Sequence, residues 1–227
     1  MKILLLQNSN SYAGREYLQA LNETFIFLDV VSIGDFPEVN SLEEERCSGK
    51  WKPKAFAELI KHEGMEYRFK SLTDEKFLNF LQSKKYDFGI QGGTGILRQS
   101  TIEKFRYGIL NFHPGDLPKY RGCSAPEWQI VEGKPVICTC HIIDEGIDTG
   151  AIYKKKKLLL DVSNYYDFRS GIYPEIAKFV VDVIEELITN KGDNFHLKEQ
   201  DESKAIYRKF IGHSVIEQLQ ECMPSYE

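Results

Sequence analysis

Asn111-Phe112-His113 sets a carboxamide and an imidazole at alternate positions near the end of an apolar run, where Pro114 and Gly115 stop further strand pairing. Alternate side chains of a strand share a face, so a hydrogen-bond donor and a base converge there. In open α/β sheets the crevice beyond the carboxyl ends of the strands is the preferred ligand site, which favours chemistry over packing at this position. A second strand, Val136 to Ile143, runs into Asp144-Glu145-Gly146-Ile147-Asp148-Thr149-Gly150, a carboxylate-rich loop punctuated by glycine and expected at the same kind of location. Asp148 is the residue of that loop best suited to orient His113. Each motif alone has a plainer reading. An Asn-x-His at a strand end can be a hydrogen-bonded turn, and the acidic loop a capped turn or a calcium site, although it lacks the regular ligand alternation of an EF-hand loop.

Holding such groups in place takes a sheet, and the flanking sequence carries the pattern of one. Lys2 to Gln7 reads as a buried opening strand, followed by a Gly/Ser/Asn turn, a helix near Arg15 to Leu21 and a second strand over Phe25 to Val31. Ile33 to Pro53, charged and broken by Pro and Gly, reads as a long surface excursion. Lys54 to His62 and Thr73 to Ser83 are helical, the latter with Phe77, Leu78 and Leu81 on one side and Thr73 as its N-cap. Tyr86 to Gln91 and Tyr107 to Phe112 are further strands, with a short helix over Ala125 to Glu132. From Glu175 onward Ile176, Phe179, Val180, Val183, Ile184, Leu187 and Ile188 keep helical spacing, stopping at Asn190 and Gly192. The alternation predicts an α/β fold with a Rossmann-like, doubly wound, mostly parallel sheet over residues 1–192. Residues 193–227 form a short C-terminal extension, a hairpin or an interface element.

A chain of 227 residues suits one large domain with an appendage, and 42% apolar residues can fill its core. A formal net charge of −5 argues against nucleic acid or an anionic membrane as partner. The apolar run Ile3 to Leu6 is too short for a signal-peptide core or a bilayer span, so a cytoplasmic protein is expected. Five cysteines without a CxxC pair fit reduced thiols, Cys138 and Cys140 acting as small hydrophobes on one strand face, and no metal site is expected. Lys154 to Lys157 reads either as a phosphate contact or as a solvated strand edge.

Taken together, Asn111-Phe112-His113-Pro114-Gly115-Asp116-Leu117-Pro118-Lys119-Tyr120-Arg121-Gly122 and the loop from Asp144 to Gly150 strongly resemble the formyltetrahydrofolate-dependent formyltransferase family. That family's signature is an Asn-x-His-Pro-x-x-Leu-Pro segment followed by an Asp-Glu-x-x-Asp-x-Gly loop. The resemblance is specific from about Asp87 to Ile152 and implies the family's fold and 10-formyltetrahydrofolate as formyl donor. It implies that Asn111 hydrogen-bonds the formyl oxygen as negative charge develops there. His113 would stabilise the tetrahedral species and help to move the attacking amine's proton, with Asp148 as its carboxylate partner. Gly95-Ile96-Leu97 resembles the stretch that holds the folate pteridine, with Ile143, Asp144, Glu145 and Gly146 as the opposite wall; Ile96 and Leu97 could equally be core. His141 would support Asp144 or Asp148 from behind. Tyr120, Arg121 and Trp128 could grip a sugar, nucleotide or phosphate, or simply anchor their loop.

Members of this family differ in the amine they formylate. Tyr120-Arg121-Gly122 resembles the tRNA and sugar branches, whereas Gln7 to Gly14 is an imperfect version of the purine branch's phosphate loop. A tRNA enzyme would be expected to carry a further C-terminal barrel. The leading expectation is therefore a small-molecule amine, on a nucleotide-linked amino sugar, with a homodimer as a possible assembly. The alternatives are glycinamide ribonucleotide formylation, hydrolysis of formyltetrahydrofolate around the same three residues, and a non-catalytic folate- or nucleotide-binding module.

Overall fold

A computed structural model describes residues 1–26, 28–34, 40–61, 65–192, 195–212, 216, 217, 219 and 223. In chain order the elements are β1 (Ile3–Gln7), α1 (Tyr12–Glu23), β2 (Asp29–Ile33), α2 (Ser41–Arg46), α3 (Phe56–Leu59), β3 (Glu66–Phe69), α4 (Glu75–Lys84) and β4 (Phe88–Gly92). They continue with α5 (Gln99–Ile102), β5 (Gly108–His113), β6 (Arg121–Gly122), α6 (Ala125–Val131), β7 (Ile137–Ile142), β8 (Ile152–Lys157) and α7 (Tyr165–Thr189). A 3-10 turn, Glu202–Lys204, and β9 (Tyr207–Arg208) follow α7.

Seven strands form one sheet in the order β3-β2-β1-β4-β5-β7-β8. The pairings from β3 to β5 are parallel, while β7 and β8 are antiparallel to their neighbours. The α/β alternation read from the sequence is thus the observed architecture. Every residue of β1 is buried, as expected for a central strand covered on both faces. Its side chains divide by alternation: Ile3 and Leu5 join one apolar cluster, Leu4 and Leu6 another. The first cluster lies under α1 and α7, where Ile176, Phe179, Val180, Val183, Ile184 and Leu187 present the apolar stripe; each such side chain is worth about 2 kcal/mol on burial. The second packs against Phe77 and Leu81 of α4.

Several elements differ from their expected bounds for physical reasons. α7 starts far before Glu175, because Asn164 caps it by accepting from the Asp167 amide, and the helix continues through Gly171 and Pro174. β2 begins at Asp29 rather than Phe25, whose φ of +59 places it in a turn. Asp74, not Thr73, caps α4. β3 has no counterpart in the expected elements, since it is a half-exposed edge strand with a polar sequence. The helix expected over Lys54 to His62 is the short α3, and His62 lies outside the described residues. Within the extension, β9 makes no hairpin; it pairs parallel with β6, so the tail returns to the loop that follows β5.

Candidate active site

Residues of β5 divide between the two faces of the sheet. Leu110 and Phe112 enter the core under α7, as do Cys138 and Cys140 of the neighbouring β7, whose thiols burial pushes up. Asn111 and His113 therefore occupy the other face, opposite His141 and Thr139 respectively. β7 runs against β5, and its carboxyl end at Ile142 lies beside Leu110. The loop from Asp144 to Gly150 consequently does not leave from the carboxyl ends of the parallel strands, as expected. It starts at the other end of the β5–β7 ladder and folds back over the face that carries Asn111 and His113. Gly150 allows this return, since a Cβ there would stand 1.8 Å from the Ile142 carbonyl oxygen.

The fold brings the three principal residues together. His113 Nδ1 lies 3.5 Å from Asp148 Oδ2. Its Nε2 lies 2.6 Å from the Tyr120 carbonyl, so Nε2–H donates to that oxygen. Both ring nitrogens thus face acceptors, and either neutral tautomer leaves one of them without a donor. Gly115 makes the close packing possible, because a Cβ would lie 2.5 Å from both His113 Nε2 and the Tyr120 oxygen. Thr139 Oγ1 holds the same turn, donating to Gly115 O at 2.6 Å and accepting from the Leu117 amide at 3.3 Å. Gln129 supports it from α6, donating to Pro114 O at 3.1 Å.

His141 has a different role from the one expected. Its Nδ1–H donates to the Ile142 carbonyl at 2.9 Å, which leaves a lone pair on Nε2 to accept from Asn111 Nδ2 at 3.1 Å. Asp148 Oδ1 is 3.8 Å from Nε2, beyond hydrogen-bonding distance. His141 therefore orients Asn111 rather than Asp144 or Asp148. Burial, and then the neighbouring charge of His113, lower its pKa to about 4, so the ring is neutral and its accepting lone pair is available.

Around this centre the other expected residues separate into open and enclosed groups. Gly95, at φ +86, has open space where a Cβ would project, and Ile96 beside it is 76% exposed. Leu97 is buried and shares an apolar cluster with Ile143. Asp144 accepts from the Gly146 amide and the Thr149 hydroxyl, so its carboxylate shapes its own turn, and Glu145 and Gly146 are exposed. Tyr120, Arg121 and Trp128 are anchors: the Tyr120 hydroxyl donates to Glu132, Trp128 Nε1 to the Lys209 carbonyl, and Arg121 to Gln200, Glu202 and Tyr207. Arg121 is 0% exposed and is not presented to a ligand. Lys154, Lys155 and Lys156 lie on the edge strand β8, paired with Glu186, Asp116 and Asp182, which fits the strand-edge reading. Thr139 and Gln129 were missed as supports. The alternation of Thr139 with His141 on one strand was the available signal.

Among the described residues, no group of three metal-ligating side chains is gathered, and no helix is long and apolar enough to cross a membrane. The fold and the site define a doubly wound α/β domain with an amide, an imidazole and a carboxylate converging over its sheet beside an open glycine loop. A family model described as formyl transferase matches residues 1–167, and the chain belongs to that family. It is 32% identical over 161 residues to the methionyl-tRNA formyltransferase of Thermotoga maritima, covering 70% of this chain and 50% of that protein. The corresponding protein of Thermodesulfovibrio yellowstonii is 30% identical over 119 residues, covering 51% of this chain and 39% of the relative. The chain thus spans half or less of the length of these two relatives. Among solved structures, an N-formyltransferase of Helicobacter canadensis in complex with folinic acid and dTDP-3-aminofucose aligns over 99% of this chain and 80% of its own, at TM-score 0.65 and 15% identity. A glycinamide ribonucleotide transformylase of Symbiobacterium toebii covers 88% and 94%, at TM-score 0.57 and 20% identity, and these likenesses establish the shared fold.

Proposed function

We propose that this protein transfers a formyl group from 10-formyltetrahydrofolate to a primary amine. The observation that carries the reading is the convergence of Asn111, His113 and Asp148 within a chain of this family. The folate supplies the one-carbon unit as an activated formyl amine. Asn111 has two amide hydrogens; His141 accepts one, and the other is available to the formyl oxygen, where it stabilises negative charge. His113 handles the proton of the attacking amine at Nδ1, the nitrogen facing Asp148, while its Nε2–H remains fixed on Tyr120. Asp148 holds the positive charge that His113 acquires; as the new bond to the amine forms, the bond from the formyl carbon to the folate N10 would break, and N10 would take up the proton His113 carries, releasing tetrahydrofolate. For a flat heteroaromatic ring, exposed Ile96 and half-buried Ile143 offer apolar surface and Gly95 an open backbone, while Leu97 lies in the core beneath them, so the residues present fit the donor.

The favoured acceptor is a nucleotide-linked amino sugar. In support, the alignment with the Helicobacter canadensis enzyme, solved with dTDP-3-aminofucose, extends over 99% of this chain and so includes the returning tail. Methionyl-tRNA is the second reading, supported by the sequence relatives at 30% and 32% identity. Tetrahydrofolate release from 10-formyltetrahydrofolate, followed with nucleotide-linked amino sugars, methionyl-tRNA and glycinamide ribonucleotide in parallel, separates the readings. Amine-dependent release with a sugar is the expected outcome. Release without any amine would point to hydrolysis, and none with any acceptor would overturn formyl transfer.

A further inference from the structure

Asp148 has φ +56, in the left-handed region that residues other than glycine seldom adopt. Much of what surrounds it comes from the tail. The Gln200 amide Nε2 donates to the carbonyls of Asp148 and Gly150, each at 2.8 Å, and its Oε1 accepts from Arg121 Nε at 3.2 Å and Nη2 at 2.9 Å. An amide side chain has two N–H donors and two lone pairs, and all four are used here. Arg121 in turn binds both oxygens of Glu202 and the Tyr207 hydroxyl, and the next residue, Gly122, donates its amide to Asp148 Oδ2 at 2.8 Å. The β6–β9 pairing fixes this bracket, with Gly122 at φ +91 and so close to Arg208 that a Cβ would lie 2.5 Å from its carbonyl oxygen. Both the backbone and the carboxylate of Asp148 are therefore held by one network that joins the post-β5 loop to the tail.

The geometry points to Gln200 as a positioning residue that sets the Asp148 carboxylate against His113, with Arg121 as its support. Gln200 lies beyond residues 1–167, where the family match ends. The inference rests on the proposed role of Asp148 in formyl transfer. Gln200 touches no reacting atom; it acts through the 148–150 turn, while the 95–97 side of the site is independent of it.

Gln200→Glu is nearly isosteric and keeps an acceptor for Arg121, but it loses both N–H donors and turns a carboxylate onto two carbonyl oxygens. Its kcat should fall by about 10- to 100-fold, the range for losing a partner that orients a functional side chain, with the KM for formylated folate changed by less than about 3-fold. Gln200→Asn, which keeps the amide on a shorter stem, should lie between it and the wild type. In an Asp148→Asn background the same Gln200→Glu change should cost less than about 2-fold, because its effect passes through the missing carboxylate. A loss equal in both backgrounds would overturn the inference. A spectroscopic arm needs no turnover: the imidazole ¹⁵N signals of His113 should change in the same direction in Gln200→Glu and in Asp148→Asn. Unchanged His113 signals in a folded Gln200→Glu variant would also overturn it. If the wild type transfers formyl to no amine, the functional reading fails while the His113 signals still decide the role of Gln200.

Discussion

Asn111 and His113 stand at alternate positions of β5, yet different partners fix them: a neutral histidine for the amide, and a carbonyl and a carboxylate for the imidazole. Under the proposed function, this division separates charge stabilisation from proton handling. Asn111→Ala should lower kcat by roughly 100- to 1,000-fold, the range for one oxyanion donor. The same variant should still be stabilised by folinic acid, with a rise in Tm like that of the wild type, if Asn111 acts on the developing charge and not on folate binding. A lost Tm response would place Asn111 in binding instead. His141 carries a pH signature. Its folded pKa, about 4, lies below the ordinary value of about 6.5, so below pH 6.5 the unfolded chain takes up a proton that the folded protein refuses. Stability from this group is therefore present above about pH 6.5 and lost as pH falls through about 4. Urea midpoints of wild type and His141→Gln should converge as pH is lowered over that window; parallel curves would contradict the assignment.

At the scale of elements, the site depends on the turn between β5 and β6. Gly115→Ala would press a methyl group against His113 and the Tyr120 carbonyl at 2.5 Å, too close for backbone to yield cheaply. We expect a loss of about 1 to 3 kcal/mol in denaturant stability, with a drop in kcat. Stability and kcat matching the wild type would show that the turn relaxes freely. Much of this level was legible in the sequence: the apolar runs of β1, β4, β5 and β7 identified themselves, and the glycine loops marked where backbone had to turn or approach closely. The direction of β7 was not, because alternation says which face a side chain takes and nothing of whether a strand runs with or against its neighbour. Between the two readings of Arg121, ligand contact or loop anchor, the sequence could not decide, because its fate depends on Gln200, Glu202 and Tyr207, far along the chain, and no local pattern carries that pairing. The beginning of α7 was not legible because Gly171 and Pro174, both poor helix formers, precede the regular apolar spacing, yet the helix accommodates them while one of its faces stays buried.

Across the whole molecule, one sheet with helices on both faces carries a polar centre on the face of β5 and β7, and the tail closes on it through β9 and Gln200. The relatives at 30% and 32% identity are methionyl-tRNA formyltransferases, whereas a likeness that runs through the tail is to an N-formyltransferase solved with a nucleotide-linked amino sugar. The common element is formyl transfer to an amine, and that claim can be measured directly. The protein would be incubated with 10-formyltetrahydrofolate bearing a ¹³C-labelled formyl carbon and with each candidate amine, and the products read by mass spectrometry and ¹³C NMR. The account predicts a labelled formamide on an amine with the wild type, strongly reduced with Asn111→Ala and His113→Ala. Label appearing only as free formate, or an equal yield of formamide from the variants, would contradict it.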